Sequence, residues 1–108
     1  MMLQEGDVVL VKDILDPYGM NPKTRPVVML GFLPNCQGIA ISTQFSPPLY
    51  AHEILLYDGK MRSRTGLLRP CVANCQWRVR FDEKAVIAKL GHLLPDQLQQ
   101  ITDYFARE

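Results

Sequence analysis

The feature that most constrains this chain is a proline placed directly before a β-branched apolar run, Pro26 before Val27–Leu30. Proline has no backbone N–H and a fixed φ, so within a sheet it belongs at the first residue of a strand or at an edge. The residue before a proline is pushed towards an extended backbone. The pattern therefore predicts a strand from about Arg25 to Phe32, with the Arg25 guanidinium pointing off the end of the sheet. Alone, such an arginine is most often a solvated charge beside a turn.

Other short apolar runs follow, with turn signals at intervals of about eight to twelve residues, which is typical of small all-β domains. Further strands are predicted at Val8–Val11, Gln37–Thr43, Ala51–Tyr57, Leu67–Arg69 and Val72–Phe81. The pattern over Pro95–Arg107 predicts a helix, with proline at its first position and apolar side chains at helical spacing. The segment Ala85–Leu90 fits a helix or a strand. The sequence thus predicts a mainly β fold: a small antiparallel sheet or half-open β-barrel with one C-terminal α-helix.

Length and composition fit one globular domain spanning residues 1–108. The chain is 47% hydrophobic and 21% charged, with a formal net charge of +1. A near-neutral chain can offer a nucleic-acid partner only a local basic patch. The three cysteines follow no zinc or redox spacing, and we find no signal-peptide pattern or membrane-spanning apolar run in the sequence. We expect a soluble cytoplasmic protein without a metal, a cofactor or a membrane partner.

The residue pattern by itself contains no standard catalytic motif. The segment Asp13–Lys23 is predicted to be a loop, and so long a loop in a small domain more often binds a ligand than simply connects strands. His52 and His92 lie beside apolar runs and are expected to be packing or surface residues. Trp77 is expected to fill the core or a dimer face rather than to stack on a base. Composition and residue spacing alone therefore indicate a β-rich domain but do not assign it a function.

Several motifs occur in an order that spans nearly the whole chain. They are Gly6-Asp7, Asp16-Pro17, Lys23-Thr24-Arg25-Pro26, Ser42-Thr43-Gln44, Thr65-Gly66-Leu67-Leu68-Arg69 and Ile87-Ala88-Lys89-Leu90-Gly91. This order resembles that of the MazF/PemK family of toxins. The resemblance implies an SH3-like barrel of the CcdB/PemK type, a homodimer and a cognate antitoxin. It also implies metal-independent, sequence-specific endoribonuclease cleavage of single-stranded RNA (mRNA), and it makes Ala85–Leu90 a strand.

The same resemblance assigns the site. The catalytic residues it implies are Arg25 and Ser42. The residues it implies for RNA binding are Asp16, Pro17, Lys23, Thr43, Gln44 and Arg69. In such a reaction the ribose 2′-hydroxyl is the nucleophile, and a cation must stabilise the charge that builds on the phosphate. Arginine suits this role because its planar fork binds two phosphate oxygens and keeps its charge, while the Ser42 hydroxyl can donate to a phosphate oxygen or orient the 2′-hydroxyl.

Two departures from the family pattern leave the proton-transfer partner open. Lys23 stands where many members carry glutamate or histidine, and Pro70-Cys71 interrupts a region where some members place an acidic residue. The nearest polar candidates there are Asn74 and Gln76. An alternative function is therefore a non-catalytic barrel of the same fold, acting by binding alone as an adaptor or a gyrase-poison-like toxin. The residues specify neither the RNA motif nor the antitoxin.

Overall fold

The computed structural model describes residues 2–107, which form six strands, one 3₁₀ turn and one α-helix. The strands are β1 (Asp7–Ile14), β2 (Lys23–Gly31), β3 (Cys36–Ser42), β4 (Glu53–Tyr57), β5 (Cys71–Phe81) and β6 (Val86–His92). The 3₁₀ turn spans Glu83–Ala85, and the helix α1 spans Pro95–Ala106. The predicted C-terminal helix is confirmed, and the ambiguous segment before it is the strand that the resemblance implied.

All six strands belong to one antiparallel sheet in the order β4-β5-β3-β2-β1-β6. The irregular segment 58–70 connects β4 to the neighbouring strand β5. On the way it reaches the other edge of this curled sheet, where the N–H of His92 donates to the carbonyl of Arg64 at 2.9 Å. Gly66 has a φ of +76°, and a Cβ there would lie 2.2 Å from the carbonyl oxygen of Leu90, so the close approach requires glycine. The predicted mainly β, half-open barrel is confirmed.

Two separate apolar clusters bury both faces of the central strands. Val8 and Val28 belong to the cluster that contains Ile101 of α1, whereas their neighbours Val9 and Val27 belong to the other cluster. Successive residues of a strand point to opposite faces. A strand that is covered on both faces therefore has a continuous run of apolar residues in its sequence, rather than apolar residues alternating with polar ones. This double burial anchors β2, and with it the residues at the start of the strand.

Helix α1 covers the face of the sheet that carries the Ile101 cluster. Ile101 is fully buried, and the buried side chain of Gln97 donates from Nε2 to the carbonyl of Leu56 in β4 at 3.0 Å. The Gln97 Oε1 accepts from the N–H of Leu94 at 3.0 Å, which caps the first turn. Within residues 2–107, no helix is long and apolar enough to cross a membrane. The opposite face of the sheet is left to the second cluster and to the candidate site.

One predicted strand is wrong, because Leu67–Arg69 belongs to the irregular segment 58–70. Pro70 has no N–H to offer a ladder, and the left-handed backbone of Gly66 turns the chain away from an extended path. The strand predicted at Val72–Phe81 is confirmed as β5, in which Phe81 is buried while Arg78 and Arg80 are exposed.

Candidate functional site

The end of β1 and the loop after it form one wall of the candidate site. The β1–β2 pairing is regular from Val8 to Val11 but shifts before Ile14, which pairs with Lys23. Asp13 and Asn21 have positive φ values of 60° and 52°, a conformation that aspartate and asparagine tolerate better than most residues. The irregularity at Asp13 and the turn at Asn21 bend the chain so that the loop folds back over the start of β2.

Asp16 holds this loop in shape. Its carboxylate accepts from the N–H groups of Tyr18 at 3.0 Å and Met20 at 2.9 Å, and from the side-chain amide of Asn21 at 2.9 Å. The hydrogen bond from Met20, followed by that from Asn21, lowers the pKa of the Asp16 carboxyl below its ordinary value. Asp16 is therefore ionised at neutral pH, and its oxygens are engaged inside the loop rather than turned outward to a ligand.

Arg25 is held by this loop through two hydrogen bonds. Its Nε donates to the carbonyl of Ile14 at 2.9 Å and its Nη2 donates to the carbonyl of Asn21 at 3.0 Å. These two carbonyls hold the guanidinium against the loop and leave the residue half-buried, so Arg25 is not a freely solvated charge. That its guanidinium points off the end of the sheet stays a prediction. A guanidinium has five N–H groups, so three remain for a ligand.

The indole of Trp77 lies beside the same guanidinium. The Arg25 Cζ is 5.1 Å from the centroid of the Trp77 ring, within the range of a cation–π contact. The indole Nε1 donates to the carbonyl of Leu15 at 3.1 Å. Trp77 is half-buried and belongs to neither core cluster, so it does not fill the core. The alternative, that it lies on a dimer face, stays a prediction. Trp77 lies at the candidate site and ties the loop to β5.

Ser42, at the end of β3, lies on the same face of the sheet as Arg25. The β2–β3 ladder begins at the pair Val27–Ala40. Arg25 and Ser42 each lie two residues from that pair, towards the same end of the sheet, and residues two apart in a strand share a face. The Ser42 Oγ accepts from the N–H of Gln44 at 3.0 Å and lies 3.3 Å from the Gln44 carbonyl, to which it can donate. The hydroxyl is thus engaged in a local turn, with one lone pair left for another donor.

Two further residues predicted from the sequence, Lys23 and Pro17, lie at the same end of the sheet as Arg25 and Ser42. Lys23 is exposed and lies two residues before Arg25 on β2, which places it on the same face. Pro17 is exposed and lines, with Asp16, Trp77 and other residues, a cleft of about 390 Å³ between the loop and β5. The structure therefore gathers these residues at one end of the sheet.

Three other predicted residues form no hydrogen bond with the Arg25 side chain. Thr43 and Gln44 are exposed directly after β3. Arg69 is exposed in the segment before β5, three residues before Val72, which pairs with Ser42. They lie at the same end of the sheet as Ser42. A separate cavity of about 510 Å³ between the start of β4 and α1 contains none of the predicted site residues.

Two solved structures share this fold over almost their entire length. The toxin MazF-mt6 of Mycobacterium tuberculosis matches with a TM-score of 0.67 at 21% sequence identity, covering 92% of this chain and 93% of that chain. The MazE–MazF complex of Deinococcus radiodurans matches with a TM-score of 0.67 at 14% identity, covering 99% of this chain and 94% of that chain. The chain has the MazF fold. No family model and no curated protein matches the sequence.

In this MazF fold, sequence reasoning missed two parts of the candidate site. The carbonyl of Asn21 is an acceptor for Arg25, and its only sequence signal was an asparagine in a loop, a residue type that often adopts positive φ. The contact between Trp77 and Leu15 joins residues 62 positions apart, and no local pattern marks it. Among residues 2–107, no group of three or more histidine, cysteine or acidic side chains is arranged to hold a metal ion.

Proposed function

We propose that this protein is a MazF-like toxin that cleaves single-stranded RNA at a site centred on Arg25. The observation that carries the proposal is the state of Arg25 in a chain with the MazF fold: two N–H groups are fixed by loop carbonyls and three are left for a ligand. A guanidinium fixed in this way can bind a phosphodiester through two oxygens without first being ordered.

The proposed reaction is attack of the ribose 2′-hydroxyl on the adjacent phosphorus. The new O–P bond closes a 2′,3′-cyclic phosphate as the 2′-hydroxyl releases its proton. The bond to the 5′-oxygen breaks, and that oxygen takes up a proton, so the downstream fragment leaves with a 5′-hydroxyl. Arg25 stabilises the negative charge that builds on the phosphate oxygens. Ser42, on the same face of the sheet as Arg25, can hold a phosphate oxygen or the 2′-hydroxyl once its hydroxyl turns away from Gln44.

We further propose that Lys23, Pro17, Thr43, Gln44 and Arg69 contact the RNA on either side of the cleaved bond. Lys23 and Arg69 are exposed cations at the Ser42 end of the sheet, and such side chains bind phosphates with little sequence preference. Asp16 contributes indirectly, because its carboxylate shapes the loop that holds Arg25.

We also propose a homodimer and a cognate antitoxin. The support is that the Deinococcus radiodurans structure with this fold is a MazE–MazF complex. An antitoxin segment that folds on binding could cover the surface near Arg25 and Arg69 and exclude RNA. Light scattering at micromolar concentration should give the mass of two chains, and a monomer would contradict the dimer.

The experiment that tests the activity incubates the purified protein with mixed RNA in EDTA and sequences the new ends. Cleavage should persist, with a 2′,3′-cyclic phosphate upstream and a 5′-hydroxyl downstream. A strict requirement for Mg²⁺, or a 5′-phosphate on the downstream fragment, would contradict the mechanism. RNA that is bound but left intact would instead favour the non-catalytic barrel.

A further inference from the structure

Four residues form a closed circuit of contacts around the candidate site. The Arg25 Nε donates to the carbonyl of Ile14, and Leu15 follows Ile14 in the chain. The Leu15 carbonyl accepts from Trp77 Nε1, and the Trp77 ring centroid lies 5.1 Å from Arg25 Cζ. We propose that Trp77 is a positioning residue for the Arg25 guanidinium, an inference that rests on the proposed RNA cleavage. Trp77 acts on Arg25 directly through its ring and indirectly through the loop.

The direct effect of Trp77 is to limit the tilt of the Arg25 guanidinium. Two hydrogen bonds, both on the Nε–Nη2 side, fix one edge of the guanidinium. They leave the group free to tilt about that edge, and the Trp77 ring, with its centroid 5.1 Å from Cζ, opposes the tilt. The outer Nη1–Nη2 fork is then held in one orientation, which is what two-point binding of a phosphate requires.

The indirect effect acts through the loop. The carbonyls that hold Arg25 belong to Ile14, the last residue of β1, and to Asn21, in the β1–β2 loop. Leu15 and Tyr18 in this loop are exposed, so packing contributes little to holding it against the sheet. The Trp77–Leu15 hydrogen bond links the loop to β5, a strand otherwise separated from β1 by β3 and β2. Loss of that bond should let the loop, and the Asn21 carbonyl it carries, move away from Arg25, while the Ile14 carbonyl stays with β1.

The two effects of Trp77 can be separated by substitution. Trp77→Phe keeps an aromatic ring for Arg25 but removes the N–H that bonds to Leu15, whereas Trp77→Leu removes both. Tyr50→Leu is a matched control, because Tyr50 is an exposed aromatic residue that stacks on His52 in the segment before β4. Thermal unfolding of all three variants checks that the fold is kept.

The first measurement does not depend on RNA cleavage. In a ¹H–¹⁵N spectrum, the Arg25 Nε–H should give a resolved, slowly exchanging signal, and the Arg25 δ-protons should be shifted by the Trp77 ring current. Trp77→Leu should abolish the ring-current shift and speed exchange of the Nε–H, Trp77→Phe should keep part of the shift, and Tyr50→Leu should change neither. Arg25 signals that are the same in wild type and Trp77→Leu would overturn the proposal.

The second measurement is single-turnover cleavage of RNA. Loss of one cation–π contact and one hydrogen bond should lower the rate of chemistry in Trp77→Leu by about tenfold, with a smaller loss in Trp77→Phe. KM should change by less than about twofold, because a displaced guanidinium affects the transition state more than substrate binding. Altered Arg25 signals with an unchanged rate would overturn the positioning role. A wild-type protein that cuts no RNA would refute the proposed function, while the spectra would still decide whether Trp77 orders Arg25.

Discussion

Replacement of Arg25 by alanine should remove activity and also cost measurable stability. A solvated surface arginine can usually be truncated within about ±0.5 kcal/mol. Here the side chain makes two hydrogen bonds to loop carbonyls and one contact with the Trp77 ring. Arg25→Ala removes all three interactions, but water can then bind the freed carbonyls. The free energy of unfolding should therefore fall by about 1–2 kcal/mol, near the lower end of the sum of typical values for two hydrogen bonds and one cation–π contact. For a domain of this size that corresponds to a fall in Tm of about 4–8 °C.

The effect of Arg25→Ala on the reaction should be larger than its effect on stability. Loss of one group that stabilises the developing charge costs a factor of about 10²–10³ in rate. Arg25→Lys should recover little activity, because an ammonium cannot reproduce the planar fork. Arg62→Gln removes an exposed arginine outside the candidate site and should leave Tm and the rate unchanged.

The assay is single-turnover cleavage of RNA, combined with thermal unfolding of the same preparations followed by circular dichroism. If Arg25→Ala stays folded and cleaves at the wild-type rate, the assignment of the site is wrong. If its Tm equals that of the wild type, the two loop carbonyls do not hold the guanidinium as described.

Three further predictions concern single side chains. Ser42→Thr keeps the hydroxyl and should stay within about threefold of the wild-type cleavage rate, whereas Ser42→Ala should lose about tenfold or more; equal rates for the two variants would refute a role for the hydroxyl. The folded-state pKa of Asp16 is lowered from the ordinary value of 3.8, so its contribution to stability is fully present above about pH 4 and is lost as the pH falls through the lower folded-state pKa. Asp16→Asn should therefore flatten the acid side of a plot of Tm against pH, and superimposable plots would contradict this reasoning. Burial raises the pKa of the Cys71 thiol to about 11, so iodoacetamide at pH 7.5 should leave Cys71 unmodified in native protein, and mass spectrometry that finds rapid alkylation would contradict its burial.

The local elements of the fold could be predicted because their signals are local. Pro26 before a β-branched run indicated β2, and Pro95 with its helical spacing indicated α1. The extra strand predicted at Leu67–Arg69 shows the limit of this reasoning. Its apolar residues suggested a strand, but the adjacent segment must pass close to β6 at Gly66, and that requirement comes from the other edge of the sheet.

The candidate site was predictable in part for the same reason. Arg25 could be singled out from the sequence together with a family resemblance, but its surroundings could not. The bonds from Arg25 to Ile14 and Asn21 depend on how the loop folds back, and the contact with Trp77 depends on sheet order. The side chains at the start of one strand were thus visible in the sequence, whereas the contacts that orient them came from elements distant along the chain.

The central claim is that the ribose 2′-hydroxyl attacks the adjacent phosphorus, and the most direct test removes that hydroxyl. Once a cleaved position has been found by sequencing, a synthetic RNA carrying a single 2′-deoxy substitution on the upstream nucleotide of that position is compared with the all-RNA oligonucleotide. We predict that the substitution abolishes cleavage at that bond, because no 2′-hydroxyl remains to attack the phosphorus. Cleavage of the substituted bond at the wild-type rate would contradict the account.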